Sequence, residues 1–175
     1  MFVDICIPKN NEIEFIDIAK KLNTKKLCFI DSKNKEISFP HYLGSFKKGK
    51  LLFLPISKEI NKKNCVYFYT PNKAKRFHFP STITQVTIKK IKELKSIFLI
   101  PFSKVNEENI EEIKFLVKLC KKYSVSYFIS SFASTPYELK SKESLSSIAL
   151  NLGFDFSKKS DSFLVFNKFC SAIFL

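Results

Sequence analysis

The groups in this 175-residue chain with the means to do chemistry are two histidines, five cysteines, sixteen carboxylates and a run of hydroxyls. His41 in "FPHYLG" and His78 in "RFHFP" stand alone, with no H-x-H pair. A metal-dependent phosphoesterase needs several His, Asp and Glu ligands converging at one end of a sheet. Asp4 and Asp31 fall near the first two apolar segments, and with two isolated histidines they make a poor metal centre. Cys6, Cys28, Cys65, Cys120 and Cys170 are widely spaced, lack C-x-x-C pairing and sit in apolar segments, the pattern of free buried thiols in a reducing compartment. Ser130, Ser131, Ser134 and Thr135 in "SSFAST" have no histidine beside them and form no G-x-S-x-G elbow. Three glycines leave no room for a glycine-rich phosphate loop. The residues therefore predict no catalytic group, no metal and no cofactor.

Charge points to a partner instead. Thirty Lys+Arg against 16 Asp+Glu give +14, nearly all of it lysine because Arg76 is the only arginine, and such a surplus attracts polyanions. The candidate contacts are Lys47, Lys48 and Lys50 in "FKKGK", then Lys73, Lys75 and Arg76 in "NKAKRFHF", and Lys140 and Lys142 in "ELKSK". In the second cluster Phe77 and Phe79 could stack on unpaired bases. Lys140 and Lys142 stand at the entrance of an expected helix, where they and its N–H groups could meet phosphates.

The elements that must position these groups follow from periodicity. "FVDICIP" reads as a strand, "NEIEFIDIAKKLN" as a helix with Asn11 as cap and Glu14 reaching back, and "KLCFID" as a second strand, a parallel β-α-β opening. Ser32 to Lys50 reads as a loop or irregular hairpin, followed by strands in "LLFLPI" and "CVYFYT" with no helix between Asp31 and Thr70. "STITQVTIKKIKELKS" is a helix with Ser81 as cap and Ile83, Val86, Thr87, Ile91 and Leu94 inward. "IFLIPF" is a strand covered on both faces. "NEENIEEIKFLVKLCKKY" is a helix capped by Asn106, with Ile110, Ile113, Val117 and Cys120 inward. "SVSYFISSFA" is a strand and "KESLSSIALNLG" a helix stopped by Gly153. The tail "DSFLVFNKFCSAIFL" is expected to add a strand or two. With 45% hydrophobic residues and 20 Phe, the chain has the material for one α/β domain spanning residues 1–175. Its longest apolar run is too short for a membrane span, and its start lacks a signal peptide, so a cytoplasmic location is expected.

The segment "YFISSFASTPYELKSKESLSSIALNLGF" resembles the C-terminal signature of archaeal ribonuclease P (RNase P) protein component 3, the counterpart of the thirty-kilodalton eukaryotic subunit. That signature is a strand, two hydroxyl residues, a small residue and Ala, a Glu-Leu-Arg-like tripeptide, and a helix of the form DLxxLxxxLG. Ser130, Ser131, Ala133, Glu138, Leu139 and Lys140 match the turn, and Leu145, Leu150 and Gly153 the helix. The opening "FVDICIPKNNEIEFIDIAKKLNTKKLCFID" is similar to the family's first β-α-β unit, with Asp4 and Pro8 in the matching places. Lys140 replaces an arginine, and "NEENIEE" replaces the arginine pair opening the penultimate helix; lysine holds phosphate as a point charge without arginine's bidentate contact.

The resemblance implies a TIM-barrel-like β/α barrel of the polymerase-and-histidinol-phosphatase (PHP) type, reduced because full barrels run to about 250 residues, with outer helices missing between Asp31 and Thr70. It implies a non-catalytic subunit that binds RNase P RNA and other RNase P protein subunits, meets precursor tRNA indirectly, and supports removal of the 5′ leader by the RNA. Ser130, Ser131, Ala133 and Glu138 would then be a structural turn. Two alternatives stay open: a divergent metal-dependent phosphoesterase barrel, and a generic basic RNA-binding α/β domain.

Overall fold

Short apolar runs flanked by amphipathic helices give a mixed α/β fold in which every strand pairs in parallel; the computed structural model describes residues 2–34, 37–56, 60–71, 83–155 and 162–174. One sheet has the order β1 (Asp4–Cys6), β2 (Leu27–Ile30), β3 (His41–Gly44). The other has the order β4 (Phe53–Pro55), β5 (Val66–Phe68), β6 (Ile97–Pro101), β7 (Tyr127–Ser130). A single parallel bridge, Ser45↔Leu52, joins β3 to the start of β4, and another, Cys6↔Ala133, joins β1 to the chain just past β7. The helices are α1 (Glu12–Lys21), α2 (Gln85–Glu93), α3 (Ile110–Tyr123), α4 (Lys142–Asn151) and α5 (Ser162–Phe174).

The strands read as unbroken apolar runs because both their faces are covered. In β6, Ile97 and Leu99 face a cluster shared with Val3, Ile5, Cys28, Phe53 and Phe128, while Phe98 and Ile100 face α2 and α3 through Ile88, Ile91, Ile113 and Val117. A third cluster packs Phe15 and Ala19 of α1 on Leu27 and Phe29 of β2. All five cysteines are free and buried, and burial pushes the Cys6 and Cys28 thiols well above their ordinary range, which suits packing rather than reactivity.

Two expectations are overturned. Residues 32–50 are not merely a loop: β3 lies parallel to β2, with Leu27 opposite His41 and Ile30 opposite Gly44. Gly44, a loop signal on paper, is there because the ring of Phe53 needs the space; a Cβ at Gly44 would come within 2.5 Å of Phe53 Cε2. The tail is not a strand but α5, whose Phe166 and Cys170, four residues apart, are fully buried in the cluster between the sheets. Phe166 stacks on Phe128 of β7 with centroids 4.8 Å apart, and Asn167 accepts a hydrogen bond from the Tyr42 hydroxyl.

Helix starts also shift. α2 begins after Thr84, which forms a reciprocal cap with Thr87; Val86, expected inward, is 67% exposed, and Ile88 takes the buried place beside Ile91. The expected cap Ser81 lies outside the described residues. α3 begins after Asn109 rather than Asn106; the two asparagines exchange backbone-to-side-chain bonds of 3.0 and 3.1 Å in the turn ahead of it. Asn11 precedes α1, but its side-chain oxygen accepts from Lys9 N instead of from the helix. Among the described residues β3, β4 and β5 follow one another with no helix between them.

Candidate nucleic-acid interface

The site begins at the junction of the first and last strands. Ser130 ends β7, and its hydroxyl donates to Asp4 Oδ1 at 2.6 Å while the backbone N–H of Ser131 donates to the same oxygen at 2.8 Å. Ser130 Oγ also accepts from Ile5 N, and Ala133 completes the junction by bonding Ile5 O and Ile7 N through its backbone. Asp4, Ser130, Ser131 and Ala133 are all fully buried. Burial raises the Asp4 carboxyl above its ordinary range, against the hydrogen bonds from Ser130, Ser131 and Ile5 that pull it down, and Asp4 Oδ2 is buried with no partner.

Past this junction the chain turns sharply. Phe132 takes φ +50°, a left-handed conformation costly for an aromatic residue, with its carbonyl held by Ser103 Oγ at 3.1 Å. Glu138 then accepts from Ser134 N, Ser134 Oγ and Thr135 N, closing a capping box over the short turn Pro136–Glu138. These bonds, that of Ser134 N first, hold its carboxyl below the usual range. Lys140 N donates to Ser131 Oγ at 2.8 Å, so the turn is tied back to the junction, and Ser141 caps α4 through Ser144 N.

The expected contacts are placed as follows. Lys47, Lys48 and Lys50 are in the loop after β3, all three exposed; Ser45 Oγ accepts from Lys47 N and Lys48 N and donates to Asp31 Oδ1 at 2.6 Å. Lys140 is half-buried with its ammonium 5.9 Å from the Phe102 ring centroid, and Lys142, the first residue of α4, is exposed. Phe46, beside Lys47, lies 6.4 Å from the Phe132 ring, so this loop and the turn after β7 share one end of the parallel strands. Lys73, Lys75 and Arg76 lie outside the described residues, as does His78. His41 Nδ1 bonds Phe39 O at 2.7 Å, and its ring lies 6.0 Å from Phe29.

That end of the strands is where β/α barrels place catalytic groups. Here Phe46, Phe68 and Phe132 converge, with centroids 5.1 to 6.4 Å apart. Among the described residues no group of three or more His, Cys, Asp or Glu is arranged to hold a metal. The arrangement offers a rigid scaffold, backbone N–H groups and accessible ammonium groups, which can bind phosphate without transforming it. The sequence missed the bond from Ser130 to Asp4, because residues 126 apart give no local signal. It also missed Tyr137, 84% exposed on the short turn, where nothing in the local pattern sets it apart from the chain's other aromatic residues.

No protein-family model matches the chain. Over 71 residues, 41% of the chain, it is 28% identical to the Trifunctional protein RibF/MnmA of Mycoplasmoides gallisepticum, and it spans 11% of that protein's length. Among solved structures, a chain in the cryo-EM structure of archaeal ribonuclease P with mature tRNA superposes with a TM-score of 0.69 at 16% identity, covering 98% of this chain and 90% of that one. The two chains share a fold nearly end to end.

Proposed function

We propose that this protein is a non-catalytic subunit of RNase P, of the component 3 type, that supports removal of the 5′ leader from precursor tRNA by the RNA of the complex. The observation that carries the reading is the end-to-end fold likeness to a chain of archaeal RNase P, coming on top of the Ser130 to Gly153 signature. A charge of +14 supports binding to RNase P RNA, with Lys47, Lys48, Lys50, Lys140 and Lys142 gathered at one end of the strands and Lys73, Lys75 and Arg76 as further candidates. Precursor tRNA is met indirectly, and other protein subunits complete the assembly. The phenylalanines at the strand ends favour this reading over a phosphoesterase.

In the same reading the two sheets belong to one domain and close through the Ser45↔Leu52 and Cys6↔Ala133 bridges into a seven-stranded, PHP-like β/α barrel. Among the described residues no helix separates β3, β4 and β5, and in this reading that is how the chain is shortened. Free buried thiols suit a cytoplasmic protein, and no helix among the described residues is long and apolar enough to cross a membrane.

The test is precursor-tRNA cleavage at low magnesium by the RNase P RNA and remaining protein subunits of the same source, with and without this chain. Stimulation on adding it is expected. No stimulation, with the chain folded and the other subunits present, would leave a basic RNA-binding α/β domain that shares only the fold.

A further inference from the structure

The opposite end of the strands carries a second basic surface. A depression of about 360 Å³ opens where β6 and β7 begin, between the ends of α2 and α3 and the flank of α5. Among the described residues that line it are three lysines, Lys92, Lys95 and Lys168, and no carboxylate. The exposed residues Ser124 and Ser126 stand at its rim, and Ile97, Val165 and Phe169 make an apolar side.

Helix dipoles account for only part of this. Lys92 Nζ donates to Tyr123 O at 3.0 Å, the expected use of a cation near the carboxyl end of a helix. Lys168 comes from the middle of α5, away from either end of that helix, and Lys95 follows the α2 cap in a left-handed conformation at φ +51°. Among the described residues the ion pair is Lys114 with Glu111, so Lys95 and Lys168 are not neutralised by a carboxylate. Uncompensated cations beside hydroxyl donors suit a phosphate; an apolar wall and a volume within the roughly 300–1,000 Å³ range of ligand sites suit a group larger than phosphate alone.

We propose that this depression binds one nucleotide of a single-stranded RNA segment, its phosphodiester on Lys95, Lys168 and the Ser124 and Ser126 hydroxyls and its base against Phe169. The proposal rests on the RNA-binding reading above and adds a second contact at the far end of the strands from Lys47 and Lys140. An RNA held at both ends would have to span the scaffold, or two separate segments would be held.

The test is fluorescence anisotropy of the full chain with a short fluorescein-labelled oligouridylate across a salt series. Lys95→Gln with Lys168→Gln is expected to lower the log–log salt slope by about 0.7 for each phosphate these lysines neutralise. Lys20→Gln with Lys21→Gln, which removes the same charge from the exposed end of α1, should change it less. Phe169→Leu keeps an apolar side chain in place and should weaken binding severalfold without changing the slope. Equal slopes for the two double variants would overturn the site, and displacement of the oligonucleotide by inorganic phosphate or oligoglutamate at matched charge would overturn its assignment to RNA. Wild-type behaviour of the Lys95 and Lys168 variant, alongside normal stimulation of precursor-tRNA cleavage, would remove the site and leave the RNase P reading standing. Loss of oligonucleotide binding in that variant, from a chain that stimulates no cleavage in its native form, would do the reverse.

Discussion

Ser130 Oγ reaches Asp4 Oδ1 at 2.6 Å across 126 residues of sequence, in an environment closed to solvent. This bond and its neighbour from Ser131 N join the strand that starts the chain to the strand that precedes the signature turn. Ser130→Ala would leave Ile5 N short of one acceptor and Asp4 short of one donor, an expected loss of about 1–3 kcal/mol for buried polar groups, read as a lower urea midpoint at unchanged m.

The same carboxylate makes stability depend on pH. Burial sets the folded pKa of Asp4 above its ordinary 3.8. A group that holds its proton more tightly when folded contributes stability that is full below its unfolded pKa and is lost as pH rises through the folded value. Asp4→Asn retains the Oδ1 acceptor and cannot ionise. The stability of the native chain relative to this variant should therefore fall as pH rises from about 4 towards neutrality. A difference that stays flat over that range in urea unfolding would show that Asp4 titrates as it does in the unfolded chain.

Glu138 should act with the opposite sign. Its pKa is held below the usual value by Ser134 and Thr135, so its contribution is present above the unfolded pKa of about 4.5 and is lost as pH falls through the lower folded value. Glu138→Gln keeps an acceptor and should retain part of the cap. Glu138→Ala should cost about 1 kcal/mol, the usual worth of a cap, and loosen residues 134–140 in hydrogen exchange.

α5 is an integral part of the core. Phe166 lies within 4.8 to 6.4 Å of the rings of Phe128, Phe53 and Tyr42. Phe166→Ala is expected to destabilise by about 3–5 kcal/mol, whereas Phe174→Ala, at a position 41% exposed, should cost clearly less. Equal midpoints for the two variants would mean that α5 docks without contributing to the core.

What the sequence disclosed followed from periodicity. β6, α3, β7 and α4 alternate without interruption, and each carries an apolar pattern long enough to be unambiguous. β3 was hidden because Gly44 serves the packing of Phe53, a contact that no local window contains. α5 was hidden because Phe, Val and Ile favour strands intrinsically, although Phe166, Phe169, Cys170 and Ile173 recur at helical spacing. The turn residues Ser130, Ser131, Ala133 and Glu138 were visible as a motif; the pairing of Ser130 with Asp4 and Ile5 became visible only once β1 was set beside the end of β7. Charge was legible in amount but not in arrangement, since Lys168 could not be set beside Lys95 before α5 was known to be a helix.

The lysines after β3 allow the nucleic-acid reading to be probed without disturbing the fold. None of Lys47, Lys48 and Lys50 is fully buried, and the loop's anchors are the Ser45 hydroxyl and the Asp31 carboxylate, which the lysine side chains do not supply. Replacing all three by Ala should therefore shift the thermal midpoint by no more than a few degrees, as expected for substitutions away from the core. If all three touch duplex phosphates of RNase P RNA, the salt slope should fall by about 2–3 units, and by proportionately less for fewer phosphates. Affinity should drop most at low salt, because removal of fixed charge matters least where salt already screens it. A variant with native stability and an unchanged slope would exclude this loop and shift the RNA contacts towards Lys140, Lys142 and the depression at the other end of the strands.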